Sequence, residues 1–109
     1  MRMSEWIDVA PLGDIEDGDH RLVEAADTEI AVFNLGGEYF AVENLCTHED
    51  VPIADGEIDV DDCITCPMHE AQFCLRTGAV MAPPAEDPLT RFPVRVEGAV
   101  VQVGAQPLD

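Results

Sequence analysis

The sequence predicts an all-β fold, and three observations support this prediction. Short runs of alternating apolar and polar residues recur along the chain. Glycine stands at the joints between several of these runs, as in β-hairpins. No stretch shows the apolar spacing of a helix of ten or more residues. We expect an antiparallel β-sandwich or barrel-like base that carries a loop-rich subdomain.

The first part of the chain predicts four strands ahead of the first cysteine. They cover residues 6–10, 20–25, 29–35 and 38–44. Gly36-Gly37 separates the last two and is a strong hairpin signal. Residues 11–19 combine proline, glycine and acidic residues and predict a loop. We expect these strands to form one antiparallel meander.

Residues 45–84 have a different character. They contain all four cysteines, two of the three histidines and four of the eight prolines. We interpret them as an inserted subdomain organised by metal, with one strand predicted at 71–76. Ala82-Pro83-Pro84 predicts a rigid, extended loop, because each proline fixes its own φ and restricts the residue before it.

The remaining residues complete the base. Residues 85–90 are predicted as a linker, and strands at 91–96 and 99–103 form a final hairpin at Glu97-Gly98. A chain of 109 residues has the size of one domain. We therefore expect a single domain over 1–109, in which 1–44 and 85–109 form the β base and 45–84 form the metal-binding subdomain.

The chain is strongly acidic. It has 23 acidic residues, five arginines and no lysine, for a formal net charge of −18. This excludes nucleic acid and an anionic membrane surface as partners, because both require clustered positive charge. A basic protein partner is the natural complement. No signal or membrane-spanning segment is visible, so we expect a soluble, monomeric protein of the cytoplasm, where cysteines are metal ligands or free thiols rather than disulfides.

Two short boxes of cysteine and histidine dominate the functional interpretation. They are Cys46-Thr47-His48 and Cys66-Pro67-Met68-His69. Two cysteines and two histidines can hold a zinc ion, or the two irons of a [2Fe–2S] cluster with sulfur on one iron and imidazole on the other. Structural zinc usually pairs like residues, whereas each box here is mixed. The mixed boxes favour the two-iron cluster.

The remaining cysteines and histidine have other interpretations. Cys63-Ile64-Thr65-Cys66 is a C-x2-C pair that a zinc knuckle could use. We expect instead that Cys63 and Cys74 are free thiols filling apolar space. His20 is expected at the surface.

The two boxes resemble those of the Rieske family in residue identity, internal spacing and separation. The segment Phe73-Cys74-Leu75-Arg76-Thr77-Gly78 and the Pro83-Pro84 loop also resemble the family, as do the flanking β segments. The resemblance implies a Rieske fold whose cluster-binding subdomain is 45–84. It implies one Rieske-type [2Fe–2S] cluster, with Cys46 and Cys66 on one iron and His48 and His69 on the other. It implies no catalytic residue and an electron-transfer component rather than an enzyme.

Four positions distinguish the chain from the high-potential respiratory members of that family. Those members carry a disulfide-forming cysteine in each box, where this chain has Val51 and Met68. They also carry hydroxyl groups that hydrogen-bond to sulfur, where this chain has Ala71 and Phe73. Hydrogen bonds to sulfur stabilise the reduced state. We therefore expect a potential near the low end of the Rieske range of about −150 to +300 mV.

The chain thus resembles the Rieske-type ferredoxin of a bacterial aromatic-ring-hydroxylating dioxygenase, a system of aromatic hydrocarbon catabolism. The resemblance implies a flavin-dependent NADH reductase as electron donor and a terminal oxygenase as acceptor. Two alternatives stay open: a Rieske-like small subunit of a nitrite reductase, and a zinc-stabilised protein-interaction module.

Nine acidic residues and no basic residue lie between positions 43 and 70, and they form either a solvated surface or a docking face for basic partners. They are Glu43, Glu49, Asp50, Asp55, Glu57, Asp59, Asp61, Asp62 and Glu70. Glu49 and Glu70 directly follow the two box histidines, so they are the foremost docking candidates.

Overall fold

A computed structural model of the protein describes residues 6–25, 28–45, 52–59, 61–67, 71–82 and 88–108. These residues form eleven strands and one 3₁₀ turn, Ile53–Asp55, and none of them lies in an α-helix. The strands are β1 Trp6–Pro11, β2 His20–Ala25, β3 Thr28–Leu35, β4 Glu38–Glu43, β5 Glu57–Ile58, β6 Cys63–Thr65, β7 Gln72–Cys74, β8 Val80–Ala82, β9 Arg91–Phe92, β10 Val94–Glu97 and β11 Val100–Gly104. The all-β prediction is confirmed.

The strands form three antiparallel sheets. Sheet A has the order β1-β11-β10, sheet B has β2-β3-β4-β9, and sheet C has β5-β6-β7-β8. Sheets A and B are built from strands on both sides of the 45–84 segment, and the strands of sheet C all come from within it. No helix in the described part of the chain is long and apolar enough to cross a membrane.

The predicted four-strand meander is wrong in its first strand. β2, β3 and β4 do form a meander, but β1 pairs with β11, with Trp6 opposite Gly104 and Pro11 opposite Val100. The alternation of residues 6–10 identifies a strand without identifying its neighbour. The neighbour is decided by packing, since Ile7 and Val9 lie against the same core as Val101 and Val103.

Proline divides the strand predicted at 91–96. Pro93 has no N–H to donate to a neighbouring strand, and the chain changes sheets there. β9, before it, pairs with β4, and β10, after it, pairs with β11. The predicted final hairpin is present as β10 and β11, and Gly98 supplies the positive φ of +64° at its turn.

Sheet C was largely missed by the sequence analysis. The strand predicted at 71–76 is shorter, Gln72–Cys74, and its partners β5, β6 and β8 were not predicted. Strands of two or three residues are too short to show a periodicity of two. They are held by their pairing and by packing against sheet B.

Strand β3 contributes to two hydrophobic cores, because its side chains alternate between two buried faces. Ala31, Phe33 and Leu35 join a core with Ile64 and Phe73 of sheet C. Ile30 and Val32 join a second core with Val101 and Val103 of sheet A. Each fully buried side chain of this size contributes about 1.5–3 kcal/mol. Sheet B thus supports sheet C on one side and sheet A on the other.

Arg76 joins sheets B and C at the surface. Its Nη1 donates to Glu38 Oε1 at 2.5 Å, and its Nε donates to Asp62 Oδ2 at 2.7 Å. Its guanidinium also lies 4.9 Å from the centre of the Phe40 ring. Glu38 first, and then Asp62, raise the pKa of Arg76. The arginine therefore stays charged and connects β4 with the end of β7.

Candidate metal centre

Cys66 is the one member of the two boxes' four expected ligands that falls within the described residues. Cys46, His48 and His69 lie outside the described residues, as do Val51 and Met68. The positions of these residues relative to Cys66 therefore stay predictions. What the structure describes is how sheet C positions Cys66 and how the chain is fixed on either side of the first box.

The β6–β7 ladder sets the direction of the Cys66 side chain. Ile64 lies opposite Phe73 in the register, and beyond the strand ends the Cys66 N–H donates to Ala71 O at 2.7 Å. Alternate residues of a strand face the same side of its sheet, so Cys66 shares a face with Ile64. That face is the buried one, and Cys66 and Ala71 both belong to the core between sheets B and C.

The burial and chemistry of Cys66 fit an iron–sulfur cluster. Cys66 is only 1% exposed to solvent. A buried thiolate without a compensating charge is costly, and an iron ion would supply that charge. Thiolates are the usual protein ligands of iron–sulfur clusters, and an apolar surrounding limits access of water to the centre. Ala71 and Phe73 are each fully buried, and neither side chain has a hydroxyl to donate to sulfur.

Asn44 fixes the chain on both sides of the first box. Its Oδ1 accepts from the Ala54 N–H at 2.8 Å, and its Nδ2 donates to Glu29 Oε1 at 3.0 Å. Its own backbone N–H donates to Glu29 O at 2.8 Å. The residue is 6% exposed, so these polar groups depend on one another rather than on water. Asn44 thereby links the end of β4 to the 3₁₀ turn that follows the box.

The sequence predicts a strand over 38–44 and indicates no such role for Asn44. An asparagine at the end of a predicted strand, two residues before the expected ligand Cys46, is the available signal. Gly56 was also overlooked: a Cβ there would lie 1.9 Å from the Thr65 carbonyl oxygen. The segment after the first box therefore packs directly on β6, the strand that ends one residue before Cys66.

Cys63 and Cys74 lie on the other side of the β6–β7 ladder. Both are free thiols, Cys63 buried and Cys74 partly exposed. Cys63 is therefore buried as expected, but neither cysteine belongs to one of the two hydrophobic cores of the described residues. Because Cys63 and Cys66 are three positions apart, they face opposite sides of the ladder. This arrangement disfavours a zinc knuckle made from the C-x2-C pair.

His20 differs from its expected surface position. It is half-buried, and its ring centre lies 5.5 Å from that of Phe33. It stands at the start of β2, in sheet B. The packing against Phe33 accounts for its burial without any role as a ligand.

Acidic side chains flank the described part of the site. Asp55 and Glu57 are exposed and line one open groove together with Thr65, Cys66 and Pro67. Asp59 is used locally, because its Oδ1 accepts from the Asp61 N–H at 2.8 Å and the Cys63 N–H at 3.1 Å. The two docking candidates Glu49 and Glu70 lie outside the described residues.

Comparison with known families decides what this site is. The Rieske [2Fe-2S] domain matches residues 5–93, a span that includes both boxes and all of sheet C. The chain belongs to the Rieske [2Fe-2S] domain family. One Rieske-type [2Fe–2S] cluster is therefore its cofactor, which confirms the expected cluster.

Individual relatives agree with this assignment. The chain is 39% identical over 89 residues to the 3-phenylpropionate/cinnamic acid dioxygenase ferredoxin subunit of Shigella boydii serotype 4, covering 82% of this chain and 83% of the relative. The ferredoxin of carbazole 1,9a-dioxygenase from Nocardioides aromaticivorans IC177 superposes with a TM-score of 0.87 at 28% identity, covering 93% of this chain and 98% of that one.

A third match is a chain of the complex of reduced oxygenase and oxidized ferredoxin in carbazole 1,9a-dioxygenase. Its TM-score is 0.89 at 30% identity, with 95% of this chain and 96% of that chain covered. The relatives are electron-transfer components, and this confirms the expectation of a Rieske-type ferredoxin rather than an enzyme.

We predict that Asn44→Ala weakens the hold on the cluster more than it weakens the fold elsewhere. The substitution leaves the buried Ala54 N–H without its acceptor, at a cost of about 1–3 kcal/mol. The visible absorbance of the cluster should then be lost at a lower temperature than the β-sheet signal in circular dichroism.

Asn34→Ala is the matched control. Asn34 is 8% exposed and also makes two side-chain hydrogen bonds, to Ile15 O and from the Gly37 N–H, but at the other end of the β3–β4 hairpin. It should lower both transitions together. Equal separation of the two transitions in both variants would show that Asn44 has no special relation to the first box.

Proposed function

We propose that this protein is a soluble, low-potential electron carrier that takes single electrons from an NADH-dependent flavoprotein reductase and delivers them to a terminal ring-hydroxylating oxygenase. Cys46 and Cys66 would hold one iron of its cluster, and His48 and His69 the other. When bound, the cluster supplies a centre that gains and loses one electron. We further propose that the protein acts as a monomer in the cytoplasm, as one Rieske domain over 1–109 with 45–84 as its cluster-binding part.

The observation that carries this proposal is the complete pair of boxes within a chain similar along most of its length to dioxygenase ferredoxins. All four proposed ligand residues lie inside the matched span 5–93. The curated relative is a dioxygenase ferredoxin subunit, and a related chain was solved in a complex of a ferredoxin with its oxygenase. The thiol of Cys66, buried beneath sheet C, is consistent with its share of this role.

The low potential is supported by the residues around Cys66. Ala71 and Phe73 fill the core with a methyl group and a ring, where hydroxyl groups would stabilise negative charge on sulfur. Val51 and Met68 cannot form a disulfide between the boxes. Acidic groups near the site also oppose the negative charge gained on reduction, although solvent and salt screen exposed carboxylates.

The acidic surface favours partners whose own docking surfaces are basic, for both the reductase and the oxygenase. Asp55 and Glu57 line the groove next to Cys66, and Glu49 and Glu70 follow the histidines in sequence. A field of one sign accelerates encounter with a partner of the other sign without requiring a tight complex. A carrier that must leave one partner to reach the next gains from this arrangement.

We predict that replacing a ligand histidine by cysteine lowers the reduction potential or abolishes cluster binding. A thiolate adds negative charge where a neutral imidazole stood, so His48→Cys and His69→Cys should each shift the potential down by on the order of 100 mV or more, towards all-cysteine clusters. Voltammetry of the purified variants, with iron and sulfide analysis, measures both outcomes.

His20→Ala is the control for this test, because His20 packs against Phe33 in sheet B. It should leave the potential and the iron content unchanged. If all three variants lost the cluster equally, the assignment of the two box histidines as ligands would be refuted.

We predict that Glu49→Gln combined with Glu70→Gln slows electron transfer to the oxygenase about three- to tenfold at low ionic strength. The reduction potential should stay nearly constant. The difference in electron-transfer rate between the variant and the parent should shrink as salt is added. Stopped-flow oxidation of the reduced protein by the oxygenase gives the rate constant directly.

The charge-matched control is Asp8→Asn combined with Glu97→Gln. Both residues are exposed on sheet A, which contains no residue of the 45–84 segment. An equal slowing in the two double variants would indicate an effect of net charge alone and would contradict a local docking face.

A further inference from the structure

Cys63 and Cys74 face each other directly across two neighbouring strands. The register of β6 and β7 pairs Cys63 with Cys74, Ile64 with Phe73 and Thr65 with Gln72. On the same face of the ladder, Gln72 Nε2 donates to Thr65 Oγ1 at 3.2 Å. Directly opposed side chains on this face are therefore close enough to interact.

The backbone hydrogen bonds show what kind of pair this is. Cys63 bonds to Asp59: its N–H donates to Asp59 Oδ1 at 3.1 Å, and its O accepts from the Asp59 N–H at 2.9 Å. Cys74 bonds towards β8: its N–H donates to Ala79 O at 2.8 Å, and its O accepts from the Gly78 N–H at 2.6 Å. Neither cysteine thus uses its main chain to bind the other.

The backbone hydrogen bonds between the two chain segments are made at the flanking positions instead. Leu75 N–H donates to Asp62 O at 3.0 Å on one side of the pair, and Cys66 N–H donates to Ala71 O further along. Cys63 and Cys74 are therefore a non-hydrogen-bonded antiparallel pair, in which Cα atoms lie about 4.5 Å apart and side chains approach closely. Disulfides span Cα separations of about 4.4–6.8 Å, so this position can accommodate one.

The two thiols have opposite environments. Burial first, and then Asp59, Cys74 and Asp61, raise the pKa of Cys63. Burial alone would raise the pKa of Cys74, but hydrogen bonds from the Thr77 side chain and from the backbone N–H groups of Thr77 and Arg76 outweigh it and lower that pKa. Cys74 is also the more exposed of the two. One thiol is suited to react first and the other to complete the bond.

We propose that Cys63 and Cys74 are a redox-active pair that closes to a cross-strand disulfide when the protein meets a peroxide. The Cys74 sulfur attacks one peroxide oxygen, the O–O bond breaks, and a sulfenic acid and one water form. The Cys63 sulfur then attacks the Cys74 sulfur, the S–OH bond breaks, and a second water leaves. Two thiols and one hydrogen peroxide thus give one disulfide and two waters, and a thiol reductant reverses the change.

The disulfide would fasten sheet C behind the second box. β6 and β7 are the two strands that lead into and out of residues 67–70, and Cys66 lies on the opposite face of their ladder from the pair. A covalent link between these strands restricts their separation in the unfolded chain and preserves their register. Formation of the disulfide would therefore help the protein to retain its cluster in the presence of peroxide.

The test starts from the holoprotein with its cysteine thiols reduced and adds a few equivalents of hydrogen peroxide. Catalase stops the reaction, and the free thiols are alkylated after denaturation. Cleavage after glutamate separates 58–70, with Cys63 and Cys66, from 71–86, with Cys74. The expected product is a linked pair of these peptides with an alkyl group on Cys66. Dithiothreitol should cleave the disulfide. The peroxide-treated holoprotein should lose its cluster absorbance at a higher temperature than the untreated holoprotein, in which Cys63 and Cys74 are thiols.

Cys63→Ser and Cys74→Ser are the controls, because serine is close to cysteine in size and cannot form the bond. Neither variant should give linked peptides or a thermal shift. The proposal is overturned if Cys63, Cys66 and Cys74 of the parent all stay fully alkylated, or if Cys63→Ser gives the same yield of linked peptides through Cys66. It is also overturned if linkage appears only in the fraction of the protein that has lost its cluster absorbance.

Discussion

The pairing register of β6 with β7 determines which cysteine is available for which chemistry. It places Cys66 on the buried face with Ile64 and Phe73, and it places Cys63 opposite Cys74 on the other face. A slip of one residue would exchange these faces and move Cys66 away from the core. The register is fixed because Ile64 and Phe73 are both fully buried against sheet B. The burial of two apolar side chains thus determines which face of the ladder each of the three thiols occupies.

This short ladder depends in turn on the sheet beneath it. Strand β3 has buried side chains on both faces, so sheet B packs against sheet C on one side and sheet A on the other. Arg76 and Asn44 add polar links at two places, one at the end of β7 and the other on both sides of the first box. Close packing around the site suits an electron carrier, since a centre whose surroundings change little on reduction needs little reorganisation. The family assignment and the arrangement of the sheets are therefore consistent with each other.

Much of the molecule could be predicted from the sequence, and the omissions have physical causes. The strands at 20–25 and 28–35 were predicted almost to the residue, because each is long enough to show alternation. Sheet C was missed because its strands are two or three residues long and exist through pairing. The partner of β1 was also missed, since β1 pairs with a strand at the other end of the chain, with Trp6 opposite Gly104 and Pro11 opposite Val100. The two cysteine and histidine boxes could be recognised because these residues at close spacing indicate metal binding directly. The role of Asn44 could not be recognised, because it depends on hydrogen bonds to Glu29 and Ala54, which are distant in sequence.

The central claim is that two cysteines and two histidines hold the cluster, and pulsed electron paramagnetic resonance of the reduced protein tests it most directly. The protein would be produced with nitrogen-15 in histidine alone and compared with an unlabelled sample. We expect a rhombic signal whose average g value lies below that of all-cysteine clusters, with hyperfine coupling to two histidine nitrogens bound to iron. A signal without nitrogen coupling, or a colourless protein that contains stoichiometric zinc, would contradict the account.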